Sequence, residues 1–401
     1  MVYRLCKILT LDSIFRGVSS VSHHQRALSV VAGASEILPV GEKQIRRFRT
    51  VESNPVKHDH NHAYKFYTIP LETKKQLFQH GGLPTFFEQQ TQTFMETCIM
   101  IRDPALEILH YLKTADYTRP AIRYVMYGEN GCGKSLTLAH ILHYGLASGF
   151  LLIHVPWVPN WMRACKEVSN SATREGCVDL NLDAAAWLVH FKSQNAAILN
   201  TIDLRMSKEY VWSKREVTKE GAPLMELVEL GISRVKYASE CVIALIKEIK
   251  AHSTQGRCKT LVAINGFNAF FHPKTRVMTE AKVKVPPSKI TLTEAFVEIT
   301  KYDWCNGAVV LTVDKSGIAP DRRESCLPVY QLGKEGFEHL DPFVPICVRD
   351  YNDKELESCL DYYIDRRWLQ NEKSCTEEGR NELKFLCGMN PYRLMHICAP
   401  L

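Results

Sequence analysis

Apolar residues in this chain fall into two patterns: short continuous runs, and longer runs that recur at helical spacing. Ile122–Tyr127, Phe150–Val155, Thr260–Ile264 and Gly307–Val313 are short and rich in β-branched or large apolar residues. Runs of that length read as buried strands. Phe343–Val348 reads as one more. Helices are predicted over Phe94–Leu112, Leu136–Ala147 and Leu292–Trp304. A long amphipathic helix is predicted from Pro223 to about Ala251, with Leu224, Leu227, Leu230, Val235, Ala238 and Ile243 on one face. Residues 162–222 read as mostly helical, anchored in the core by Trp187, Phe191, Tyr210 and Trp212. Pro156, Trp157, Pro159 and Trp161 form a rigid aromatic turn, Ala269–Pro287 a Lys-rich exposed loop, and Gln331–Phe337 a loop before the last strand. Beyond Asp353 the pattern turns helical, over Lys354–Leu369, Thr376–Cys387 and Tyr392–Cys398. Strands alternating with helices predict an α/β fold, a parallel sheet flanked by helices, closed by a C-terminal helical lid.

The chemistry sits after the first run. Gly128-Glu129-Asn130-Gly131-Cys132-Gly133-Lys134-Ser135 has the spacing of a phosphate-binding loop, between a strand and the helix opening at Leu136. Glycines let backbone N–H groups curl around phosphate oxygens, and the helix N-terminus favours the anion. Lys134 is expected to reach the β- and γ-phosphates, and the Ser135 hydroxyl to hold Mg²⁺. Where such sites want an aspartate for the metal, at the end of the 260–264 strand, this chain has Asn265, followed by Gly266. An amide brings no negative charge and cannot act as a base, so turnover is expected to be weak or absent. Asp314, beyond the 307–313 strand, is a candidate to replace that carboxylate in part, and Arg393 of the lid to approach the phosphates. Leu83–Phe87, an extended Pro-containing segment, is a candidate to pass near the nucleotide base.

With 401 residues, 45% apolar and 23% charged, the composition is that of a soluble globular protein, with no membrane-spanning run. The net charge of +6 changes the picture. Eight Lys or Arg against three acids put +5 in residues 1–50, leaving +1 for everything after. The Arg- and Ser-rich, acid-poor leader has the composition of a mitochondrial transit peptide, and the nearly neutral body suits protein partners more than nucleic acid. The 14 cysteines include no Cys-x-x-Cys pair, so reduced thiols are expected rather than zinc or iron–sulfur ligands. His58-Asp59-His60-Asn61-His62 reads as a solvated linker rather than a metal site. The expected organisation is a leader over 1–50, an N-terminal extension over 51–115, the nucleotide-binding domain over 116–350 and the lid over 351–401.

Several stretches outside the phosphate loop carry a family resemblance. They are Arg123–Glu129, Tyr210–Glu216, Leu261–Ala269, Leu332–Phe337, Asp341–Ile346 and Trp368–Lys373. Together they resemble the death-associated protein family of mitochondrial small-subunit ribosomal proteins, over about Tyr64 to Leu401. The resemblance implies an AAA+-like fold with a helical or winged-helix-like lid, and bound GTP or GDP with Mg²⁺. It also implies a place in the mitochondrial small ribosomal subunit among its proteins and rRNA, near the bridge to the large subunit, and a link to apoptosis. Gly128, Gly131, Gly133, Lys134 and Ser135 match its phosphate loop, whereas Asn265 departs from the family's aspartate. The reading is a structural GTP-binding ribosomal component. Its rivals are a cycling AAA+-type ATPase or GTPase and a cell-death signalling adaptor.

Overall fold

The computed structural model describes residues 47–272, 275–279, 281–317 and 325–399. Five parallel strands form the central sheet: β3 (Ile122–Tyr127), β4 (Leu151–Val155), β9 (Thr260–Ile264), β10 (Gly307–Thr312) and β11 (Val344–Cys347). Their order is β11-β3-β10-β9-β4, so the phosphate-loop strand β3 lies between β11 and β10. Successive residues point to opposite faces. Val125, Leu151, Ile153, Val262, Ile264, Val309 and Leu311 enter one core, while Tyr124, Met126, Leu152, Leu261, Ala263, Ala308 and Val310 enter the other. Both faces are covered, which is why these strands read as continuous apolar runs rather than alternating ones.

One face carries α1 (Leu71–Phe78), α3 (Asp103–Thr114) and α4 (Lys134–Ala147); α2 (Thr85–Phe94) adds Phe87 at its edge. The other carries α5 (Val158–Arg163), α6 (Asn181–Thr201), α7 (Leu224–Ser233), α8 (Ala238–Thr254), α9 (Thr291–Glu298) and part of α10 (Pro328–Leu340). A third cluster joins the antiparallel pair β1 (Phe66–Thr68) and β2 (Cys98–Met100) to α11 (Asp353–Asp365), α12 (Glu377–Cys387) and α13 (Pro391–Cys398). The lid residues described are helical and contain no strand, so its winged variant is not seen. No described helix is long and apolar enough to cross a membrane.

Several expectations are corrected. Residues 162–222 hold one long helix, α6, and two small hairpins, β5 (Ser169–Asn170) with β6 (Val178–Asp179) and β7 (Tyr210–Val211) with β8 (Val217–Thr218). Two-residue strands are too short to show a period. Tyr210 and Trp212 stack on each other at 5.8 Å on the second hairpin, only half-buried. The helix expected from Pro223 breaks at Arg234, whose φ −115° and ψ 71° are not helical, so α7 and α8 pack on each other and on α6. Phe94–Leu112 divides between the end of α2, strand β2 and α3, and Gln331–Phe337 lies inside α10, kinked at Gly333. The Lys-rich stretch is less exposed than expected, since Phe270, Thr275, Val277 and Val285 are buried. Residues 1–46 lie outside the described part, and the transit-peptide reading with them. The last of the expected leader belongs to the body: Phe66 donates its N–H to the Phe48 carbonyl at 2.8 Å, and Arg49 pairs with Glu96 at 2.5 Å.

Candidate nucleotide site

Three strand ends converge at the carboxyl edge of the sheet, where ligands of open parallel sheets bind. Gly128 follows β3, Asn265 follows β9, and Asp314 lies just beyond β10. The loop glycines 128, 131 and 133 all take positive φ. Lys134, 6% exposed, donates from Nζ to the Gly128 and Glu129 carbonyls at 2.9 and 2.8 Å, and its ammonium lies 3.6 Å from the Asp314 carboxylate. Asp314 Oδ1 in turn accepts the Ser316 N–H and O–H at 2.9 and 2.8 Å, while the Asp314 main chain is pinned on both sides by the Asn268 amide.

Asn265 works beneath the loop. The Gly266 N–H donates to Thr312 Oγ1 at 2.8 Å, Thr312 donates to Asn265 Oδ1 at 2.6 Å, and Asn265 Nδ2 donates to Ser135 Oγ at 3.1 Å. The Ser135 oxygen therefore receives an amide N–H rather than facing a carboxylate.

The lid is fastened directly to the loop. Asn390 Nδ2 donates to the Asn130 carbonyl at 3.0 Å and to Asp350 Oδ1 at 2.8 Å, and the Tyr392 N–H reaches the Gly131 carbonyl at 3.2 Å. Arg102, at the start of α3, donates to the Cys132 carbonyl at 2.5 Å, to Glu355 Oε1 at 2.7 Å and to the Arg349 carbonyl at 2.9 Å. Burial works most strongly against the Arg102 charge, but hydrogen bonding and charge attraction to Glu355, with smaller electrostatic contributions from Tyr351 and Cys132, together outweigh it and hold its pKa above the ordinary arginine value. Burial also raises the Cys132 thiol, which stays protonated at neutral pH. The loop, the β1–β2 pair and the lid together line a cavity of about 380 Å³. Asn130, Gly131, Lys134 and Ser135 line one wall, and Pro84, Phe87, Ile99, Met100, Tyr363 and Met395 another. A lining that is polar and cationic in one part and apolar and aromatic in another suits a ligand with an anionic end and a flat apolar end.

The profile described as Mitochondrial ribosomal death-associated protein 3 matches residues 99–397. The chain belongs to that family. It is 43% identical to small ribosomal subunit protein mS29 of Bos taurus over 353 residues, 88% of each chain. To mS29 of Mus musculus it is 42% identical, over 88% of this chain and 89% of that one. A chain of a solved E. coli HORMA:CdnC:Trip13 complex aligns at TM-score 0.30 and 10% identity, over 81% of this chain and 80% of that one, too loosely to support any argument.

In this member of the death-associated protein 3 family, Asn130, Gly131, Gly133, Lys134, Ser135, Leu136 and Asp314 line one cavity, as do Pro84 and Phe87 of the Leu83–Phe87 segment, which is not extended throughout because Thr85 opens α2. Gly128, Glu129, Cys132 and Asn265 shape the loop from outside it. Arg393 does not join them: its side chain is exposed, its N–H caps on Asn390 Oδ1 at 3.2 Å, and it is not part of the lining. Trp157 lines the cavity whereas Trp161 packs in the core against Phe296 at 5.2 Å, so the aromatic turn divides between cavity and core. The histidine cluster is not a mere linker, because His58 is buried with Nδ1 2.9 Å from His140 Nε2. Among the described residues no group of His, Cys, Asp or Glu could hold a metal. Sequence reasoning missed Arg102, Glu355 and Asn390. The signals for two of them are local: Asn352 and Glu355 form a capping box, and Asn390-Pro391 is a helix start.

Proposed function

We propose that this mitochondrial ribosomal protein is a structural component of the small subunit that holds a guanine nucleotide as a built-in ligand and turns it over slowly or not at all. One observation carries the nucleotide reading: the phosphate loop, with Lys134 buried in it, lines a cavity together with the β1–β2 pair and the lid. The strand order around β3 and the lid contacts support an AAA+-like core. The guanine preference, the rRNA and bridge contacts and any link to apoptosis rest on the family resemblance alone. Against a cycling enzyme stand the amide at Asn265 and the absence of a side chain at Gly266, which leave no base at the place such enzymes keep one. Nucleotide filling this cavity would stabilise the native state by mass action, about 2.7 kcal/mol at a hundredfold excess over Kd.

The test is to denature the purified protein and identify released nucleotide by chromatography, beside a melting curve of Lys134→Ala. Guanine nucleotide at near-equimolar ratio, with a lower Tm and loss of small-subunit co-sedimentation in the variant, is the expected result. Empty protein whose Tm does not respond to GTP, GDP or ATP would overturn the reading, and rapid hydrolysis abolished by Lys134→Ala would replace it with the enzyme.

A further inference from the structure

Phosphate-loop proteins ordinarily hold Mg²⁺ between the loop serine and a carboxylate at the end of a neighbouring strand. The residues here do not fit that arrangement. The Gly266 N–H can only donate, so the Thr312 oxygen accepts there, and the fully buried Thr312 hydroxyl must send its own proton to Asn265. That fixes the amide with Oδ1 toward Thr312 and Nδ2 toward Ser135. Were the amide turned over, Nδ2 would face Thr312 and the buried hydroxyl proton would lose its acceptor, at a penalty of about 1–3 kcal/mol. The amide N–H thus occupies a lone pair on the very oxygen that would ligate the metal, and places partial positive charge where the cation belongs. Asp314 does not compensate: one of its oxygens is taken by Ser316 and the other faces the Lys134 ammonium.

We infer that this site binds nucleotide without a divalent ion. Ser135, accepting from Asn265, is left with its hydroxyl proton free to donate to a phosphate oxygen, and Lys134 supplies the positive charge. The inference rests on the nucleotide-binding reading and goes beyond it by assigning Asn265 and Thr312 as the residues that remove the metal requirement. An aspartate at 265 would do the reverse. Its carboxylate would accept the Ser135 proton and turn the serine oxygen outward, and its charge would repel phosphates until a cation is present.

The experiment is GDP and GTP binding by calorimetry to the intact protein, first emptied of co-purified nucleotide by phosphatase digestion and dialysis, with excess Mg²⁺ or excess EDTA, for the wild type, Asn265→Asp and Thr312→Val. The wild-type Kd should differ by less than about threefold between the two conditions, and that of Asn265→Asp by about tenfold or more, tighter with Mg²⁺. Thr312→Val, which frees the amide to turn, should move the same way by a smaller factor. A wild-type affinity that falls about tenfold in EDTA overturns the inference while leaving nucleotide binding intact, and needs no variant to fold. No binding of either nucleotide under both conditions would instead sink the nucleotide reading, and this inference with it.

Discussion

Gly131 shows how narrowly single residues are determined in the site. Its φ is +83°, and a Cβ there would lie 2.6 Å from the Tyr392 Cβ and 2.8 Å from Asn390 Oδ1. Gly131→Ala would therefore combine a left-handed backbone with a collision into the lid. It should cost about 2 kcal/mol or more and weaken nucleotide binding together. Gly149 is the control: φ is +73°, but nothing lies within 4 Å of its Cβ position. Gly149→Ala should cost only the backbone strain, about 1 kcal/mol, and leave binding unchanged. Urea midpoints of the two variants check this, and equal effects would mean that lid contact contributes nothing at Gly131.

Among elements, the decisive contact is α3 against α11. Arg102 and Glu355 have side chains 8% and 4% exposed, and Glu355 also accepts the Asn352 N–H at 2.9 Å in the capping box of α11. Two charges that far from water are tolerated because each is the other's partner and the remaining Arg102 donors find the Cys132 and Arg349 carbonyls. Glu355→Ala leaves the Arg102 guanidinium buried and unpaired, and should destabilise the protein by about 3–5 kcal/mol in urea unfolding. Arg102→Met combined with Glu355→Leu should be less harmful than Glu355→Ala alone, since no uncompensated charge remains. If the double variant is the worse of the two, the contact is dominated by the loop and lid carbonyls rather than by the ion pair.

At the scale of the whole molecule, the N-terminal extension is held on the phosphate-loop helix through uncharged histidines. His58 meets His140 of α4 at 2.9 Å, with the Glu52 main-chain carbonyl accepting from its Nε2 at 3.1 Å, and His143 lies 3.4 Å from the Tyr67 hydroxyl. Burial lowers all three imidazoles, His143 to about 4 and His140 well below its ordinary value; the nearby cation Lys113 adds to the lowering at His58 and His140. At His143 the unfolded chain takes up a proton near pH 6.5 and the folded chain not until about pH 4, so stability present above pH 6.5 is lost as the pH falls through that window, and the lowered His58 and His140 act in the same direction. The loss attributable to His143 is on the order of 1–3 kcal/mol, and His143→Gln should flatten the profile. Urea midpoints at pH 8, 6 and 4.5 check it, and a midpoint unchanged across that range in the wild type would contradict the account.

The strands of the sheet and the glycine-rich loop after β3 were legible in the sequence because their causes are local. A strand buried on both faces is apolar at most positions, and a loop that turns tightly through positive φ places glycine where no Cβ fits. The small hairpins and the break at Arg234 were not legible, since two-residue strands carry no period and a helix that folds back keeps its apolar spacing on both sides. Nor could the chain alone show what closes the cavity. Arg102 and Glu355 are 253 residues apart, Asn390 and Asn130 260, Thr312 and Asn265 47. Such partners meet only because the sheet order and the docking of the lid bring them together. The residue type at 265 is thus a property of the sequence, whereas the direction in which its amide points, and with it what Ser135 can bind, is decided by the hydroxyl that β10 places beside it.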